Sequence, residues 1–224
     1  MDFAADRQAR RLHEFFESEL YPNNKVHLVG TCMGATVAGV YAAMHPTRVK
    51  SLTLMCSWGI STQSMGVTLS DIDSLSKLMP QSPTETLTSE VVDWHDRVTN
   101  LMSTSRVFRA PIVSKRERAR DVVQKVLLDM QAHPTILEDE LHKIRARTMV
   151  IWGDHDEVLD VSCLDILDDK LNNVRKNVLV LEKCGHLVFN EKPSECIDLL
   201  NKFLADKEVR YKFPLPEQET EMTI

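Results

Sequence analysis

The 224-residue chain has no apolar run long enough to cross a bilayer, and its first residues lack a charged-apolar-small signal pattern. It is therefore expected to be neither membrane-spanning nor secreted, and to work in the cytoplasm or at a membrane periphery. Glycine is scarce, at 7 residues, and aromatics make up only 6%, which excludes collagen-like and low-complexity architectures. The formal net charge of -6 is mild and argues against nucleic acid as a partner. No CxxC occurs, and no Cys/His spacing suits structural zinc, so no metal or cofactor is expected. The five cysteines (32, 56, 163, 184 and 196) are an odd number without a pairing pattern. Reduced thiols are expected, in a chain long enough to bury a core without staples.

What is present is a strand-helix alternation. Leu12, Phe15, Phe16 and Leu20 fall at helical spacing behind a possible cap at Asp2. Val26 to Val29 reads as a short apolar strand running straight into Gly30-Thr31-Cys32-Met33-Gly34. A helix rich in small residues follows to Met44, then a strand from Val49 to Cys56: one βαβ unit of a parallel sheet. Between Ile60 and Lys143 three helical patterns replace the strands, carried by Leu69-Ile72-Leu75-Leu78, by Leu87-Val91-Trp94-Val98-Leu101 and by Val122-Val126-Leu127-Met130. The sheet resumes at Thr148 to Trp152 and again at Val178 to Leu181, and an amphipathic helix carries Ile197, Leu200, Phe203 and Leu204. The expected organisation is a sheet part over 1–59, a helical insertion over 60–143, a second sheet part over 144–208 and a disordered tail over 209–224.

Three chemical features lie at the carboxyl ends of predicted strands, the edge where parallel sheets build sites. The first is G-x-C-x-G, a nucleophile elbow with cysteine in place of serine. The second is Gly153-Asp154-His155-Asp156, in which Asp154 and Asp156, with Asp160 beyond, are candidate acids. The third is Cys184-Gly185-His186. The acid lies roughly 120 residues after Cys32 and the histidine about 30 after the acid, in the order nucleophile, acid, base. A thiol at a helix N-terminus beside an imidazole is poised for nucleophilic work. His155 reads as a solvated turn residue. Cys184 is close enough in sequence to His186 to be weighed as an oxidation partner of Cys32, and the other cysteines read as small apolar residues in packed elements.

These segments, HLVGTCMGATVAGVYAA (27–43), VIWGDHDEVLDVS (150–162) and LEKCGHLVFNEKPSE (181–195), resemble the monoacylglycerol-lipase branch of the α/β-hydrolase-domain proteins. The resemblance covers most of residues 1 to 205 and is weaker across the insertion, which corresponds to the family's lid. It implies an α/β-hydrolase fold lacking its N-terminal strands, with about four parallel strands, flanking helices and a helical lid. Residue by residue it places the nucleophile on Cys32, the acid on Asp156 and the base on His186, with the Met33 N–H as one oxyanion donor. Dienelactone hydrolases are similar in carrying cysteine in this kind of elbow.

The activity implied is hydrolysis of a small lipid ester such as a monoacylglycerol. The alternatives are a catalytically impaired relative that binds lipid or protein, and a thiol-dependent thioesterase or acyltransferase. In the family, four further strands and a second oxyanion donor precede the elbow strand. Val26 to Val29 is accordingly expected at a sheet edge, where it invites self-association. The basic stretch 114–120 in the lid is a candidate contact for anionic headgroups.

Overall fold

The computed structural model describes residues 4–18, 24–61, 122, 125–126 and 128–207. The first two helical patterns of the insertion, the basic stretch 114–120, Asp2, Leu20 and the tail 209–224 lie outside the described residues.

Helix α1 (Ala5–Glu17) precedes strand β1 (Val26–Thr31), helix α2 (Met33–Met44) and strand β2 (Val49–Met55). A 3-10 turn (Glu138–Lys143) then leads into β3 (Arg147–Gly153), α3 (Cys163–Lys170), β4 (Lys176–Leu181), α4 (Val188–Glu191) and α5 (Pro193–Leu204). The sheet is parallel throughout, in the order β1-β2-β3-β4. The expected four-strand α/β architecture is thus present, each strand two residues longer than its apolar run suggested except β2, which stops at Met55. The short helix α4 had no sequence signal, since four residues are too few to show a period.

The two central strands form the core. Leu52 and Leu54 of β2 and Met149, Val150, Ile151 and Trp152 of β3 are all fully buried, because strands covered on both faces read as continuous apolar runs. Burying each such side chain contributes about 1.5–3 kcal/mol. Helix α2 lies on the sheet through Ala35, Ala38, Ala42 and Ala43, small residues that let the helix approach closely. The indole N–H of Trp152 donates to the Leu159 carbonyl at 3.0 Å, so its burial leaves no polar group unpaired. In α1 the buried face runs through Ala5 and Ala9, with Leu12 and Phe16 packed partly against the core. Phe15, read with that face in the sequence, is instead 51% exposed.

Strand β1 is an edge strand among the described residues, and Val29 at its centre is half exposed. The chain leaves the sheet after β2 and returns at one place. The Gly59 carbonyl accepts from both Leu137 N–H (3.0 Å) and Glu138 N–H (2.9 Å). The Glu138 carboxylate accepts from Ser61 N–H at 2.8 Å and pairs with Lys170 at 2.6 Å.

All five cysteines are free thiols. Burial pushes the Cys163 and Cys184 thiols up to about 12 and that of Cys196 up to about 11. In the unfolded chain these groups ionise near pH 8.5, whereas the folded chain keeps their protons. Above that pH the folded state binds more protons, and stability falls as pH rises. The urea midpoint should drop between pH 8 and 10, and drop less in Cys163→Ala; equal drops in both would remove the buried thiols as the cause.

Candidate active site

Each of the four strands ends in a residue of one cluster. Cys32 follows β1, Cys56 follows β2, Asp156 lies in the loop after β3 and His186 in the loop after β4. The parallel register aligns these ends, pairing Thr31 with Met55, Met55 with Ile151 and Gly153 with Leu181.

The elbow is a sharp turn between β1 and α2. Cys32 has φ 50° and ψ -124°, a conformation that L-residues adopt only when the surroundings impose it. Cys32 N–H donates to Met55 O at 2.9 Å, extending the ladder one residue past the strand. Its carbonyl accepts from Ala35 N–H at 3.0 Å and Thr36 N–H at 3.3 Å, starting the helix. Thr36 Oγ1 then donates to the Trp58 carbonyl at 2.6 Å, tying α2 to the loop after β2. A side chain on Gly30 would come within 2.6 Å of Ala35 N and Cα, so the first glycine of the motif is required by contact. Gly34 is different. A Cβ there would meet nothing within 4 Å among the described residues, so contact among them accounts for one flanking glycine and not the other. Met33 is the first residue of α2, where a backbone N–H has no partner within its own helix.

Asp156 and His186 meet directly. His186 Nδ1 lies 2.9 Å from Asp156 Oδ2 and 3.1 Å from Oδ1, and the Asp156 side chain is fully buried. Its Oδ1 also accepts from Val158 N–H and Leu159 N–H, both at 2.9 Å, which fixes the carboxylate. Burial of the His186 ring opposes its charge. The Asp156 hydrogen bond, and behind it the Cys32 and Cys56 thiols, outweigh that and hold the imidazole pKa well above its ordinary value. Nε2 is buried and has no hydrogen-bond partner among the described residues.

The rival acids have other work. Asp154 Oδ1 accepts from Cys184 N–H at 3.0 Å and contacts His155 Nδ1 at 2.6 Å, while Asp160 Oδ1 accepts from Ser162 N–H at 2.8 Å. The His155 side chain is 71% exposed, as a turn residue should be.

Two contributors had escaped the sequence reading. Glu191 in α4 accepts from Gly185 N–H (2.7 Å) and Leu187 N–H (3.1 Å), bracketing His186 on both sides. Cys56, read as a small packed residue, has its Sγ within 4.8 Å of the ligating atoms of Asp156 and His186. Its φ is 44°, and burial pushes its thiol up to about 11 against the lowering contact with His186. Its place at the end of the strand beside the elbow was the available signal. Cys184, the thiol weighed against Cys32, is buried, and it is Cys56 that joins Asp156 and His186.

A parallel sheet that gathers an elbow, an acid and a histidine on one edge defines a class. The alpha/beta hydrolase fold family model matches residues 2–193, and the chain belongs to that family. Among its relatives, monoacylglycerol lipase ABHD6 of Rattus norvegicus is 36% identical over 220 residues, covering 91% of this chain and 62% of the relative. Monoacylglycerol lipase abhd6-B of Xenopus laevis is 34% identical over 206 residues, covering 88% and 60%. The chain thus spans about three fifths of the length of these curated relatives. Among solved structures, a bacterial membrane phospholipase A superposes with TM-score 0.73 at 25% identity, covering 92% of this chain and 64% of that one. An α/β hydrolase from a Medee basin deep-sea metagenome superposes with TM-score 0.71 at 17% identity, covering 95% and 76%. No helix among the described residues is long and apolar enough to cross a membrane.

The Asp156 pair should hold a proton on His186 through neutral pH. Its contribution to stability is complete below about pH 6.5, the unfolded value, and is lost as pH rises through the raised folded value. In Asp156→Asn the His186 ring should titrate at or below about 6.5, followed by nitrogen-15 NMR of the imidazole. An unchanged titration would show that the carboxylate does not govern the ring.

Proposed function

We propose that the chain is a carboxylic-ester hydrolase acting on a monoacylglycerol or a similar lipid ester through Cys32, His186 and Asp156. The observation that carries this reading is the buried Asp156–His186 pair on the same sheet edge as the strained elbow at Cys32. The two monoacylglycerol lipases above support the substrate class.

In the proposed reaction the His186 ring acts in the form that has released its Nε2 proton: Nε2 takes the Cys32 thiol proton, while Asp156 keeps Nδ1–H oriented. The thiolate attacks the ester carbonyl, and the oxyanion that develops is received by the Met33 N–H at the start of α2. The tetrahedral species collapses to an acyl-thioester, and the glycerol oxygen leaves with the proton from His186. Water then gives a proton to His186 and attacks the thioester, releasing the fatty acid and restoring the thiol. One oxyanion donor contributes about 2.7–4 kcal/mol in hydrolases of this kind.

Residues 60–143 serve as a lid inserted between two parts of the sheet, 1–59 and 144–208. The shared exit and return at Gly59 support that division, and the lid's basic stretch 114–120 offers a peripheral contact to anionic headgroups.

The test is turnover of p-nitrophenyl butyrate and of a monoacylglycerol by the purified chain beside Cys32→Ala, Cys32→Ser and His186→Ala, all confirmed folded by circular dichroism. Cys32→Ala and His186→Ala should lose turnover by about 10³-fold or more. Native turnover no higher than that of Cys32→Ala would reject hydrolysis and leave a binding relative.

The edge strand also offers a self-association surface, another copy of β1 satisfying its outer backbone groups. Val29→Lys should shift the chain toward monomer in sedimentation velocity, and an unchanged distribution would rule that contact out.

A further inference from the structure

His186 stands between β4 and α4, outside any sheet or helix, so the backbone that carries it must find its partners elsewhere. The amides on either side of it go to one side chain. Glu191 Oε2 accepts from Gly185 N–H at 2.7 Å, and Oε1 accepts from Leu187 N–H at 3.1 Å. The clasp closes on itself, because Glu191 N–H donates back to the Leu187 carbonyl at 2.9 Å. A Cβ on Gly185 would come to 3.0 Å from Oε1 and 3.3 Å from Oε2, so a side chain there would press on the carboxylate. The clasp is tied in turn to α5. The Val188 carbonyl accepts from Lys192 N–H at 2.9 Å and from the Cys196 thiol at 3.4 Å, and Cys196 N–H donates to the Lys192 carbonyl at 3.0 Å.

The acid of the pair does not move to meet the base. Asp156 is held by the Val158 and Leu159 amides, so its 2.9 Å contact with Nδ1 depends on where the loop sets the ring. Misplacing a catalytic group by about 1 Å can cost roughly 10²-fold in rate. Hydrogen bonds from backbone amides to an ionised carboxylate are about twice as strong as neutral ones. Glutamine offers a single acceptor oxygen and alanine none, so neither replaces the two-oxygen clasp. We propose that Glu191 is the positioning residue of the base: acting through the Gly185 and Leu187 amides, it sets the His186 ring against Asp156 and so controls turnover. Its place in turnover rests on the hydrolase reading above, whereas its hold on the ring does not.

The test compares the full native chain with Glu191→Gln and Glu191→Ala by proton NMR and by p-nitrophenyl butyrate turnover, with urea midpoints recorded for all three. The far-downfield signal of a histidine Nδ1–H held by a carboxylate should move upfield or vanish in Glu191→Ala, and shift part of the way in Glu191→Gln. In Glu191→Ala kcat should fall by about 10²-fold, and in Glu191→Gln by about 10-fold, with KM changed less than about twofold. A plain helix cap would lower the urea midpoint and leave the Nδ1 signal and kcat at native values; that result overturns the proposal. A loss carried by KM alone overturns it too. If Glu191→Ala does not fold, Glu191→Gln decides. A native chain without turnover, whose Nδ1 signal still responds to Glu191→Ala, rejects only the hydrolase reading. A chain that cleaves ester and keeps its native kcat in Glu191→Ala rejects only this one.

Discussion

The hydrogen bond from Cys32 N–H to Met55 O carries the ladder one residue beyond β1, and the chain must then reverse its direction to enter α2. The reversal forces φ to 50° at Cys32 and leaves no room for a side chain on Gly30. The conformation costs on the order of 1–3 kcal/mol, offset by what it anchors: the first carbonyl of α2, the Thr36 bridge to Trp58, and an alanine-lined helix seated on β2. A relaxed turn would move the thiol away from the edge where β3 and β4 deliver Asp156 and His186. The site depends on this one strained residue more than on any single contact among its side chains.

The opposite half of the site is held by polar contacts instead of strain. Gly153 ends β3 where any Cβ would collide with the carbonyl oxygens of Cys184 and Gly185. Asp154 takes the Cys184 N–H, and Glu191 takes the N–H groups on either side of His186. Three carboxylates thus act in series: Asp154 and Glu191 shape the histidine loop, and Asp156 orients the ring. Each sits with backbone donors that fix its rotamer, so the imidazole is placed by the loop and then turned by its partner.

Much of this was legible in the sequence because parallel sheets write their active edge in order. Apolar runs marked four strands, and the candidate residues past three of them, Cys32, Asp156 and His186, lie on one edge of the sheet, where Asp156 and His186 meet. The choice among Asp154, Asp156 and Asp160 was not legible from spacing alone. All three follow the same strand, and only the loop's fold decides which carboxylate faces the ring. Cys56 was passed over because a cysteine closing an apolar strand reads as core, and its neighbours at the site are distant in sequence. Among the described residues, contact demands Gly30 of the motif and not Gly34. Phe15 was misplaced because a run of adjacent aromatics blurs which one a helix turns inward.

The double acceptance by the Gly59 carbonyl bears on how this fold changes over time. The segment that departs there comes back to the same oxygen, braced by Glu138 against Ser61 and Lys170. Its ends therefore remain joined whatever lies between them, and the entropic cost of a longer loop grows by only about 0.6 kcal/mol per doubling of length. The intervening stretch is a cassette. It can be lengthened, shortened or exchanged with the sheet and its four strand ends left in place.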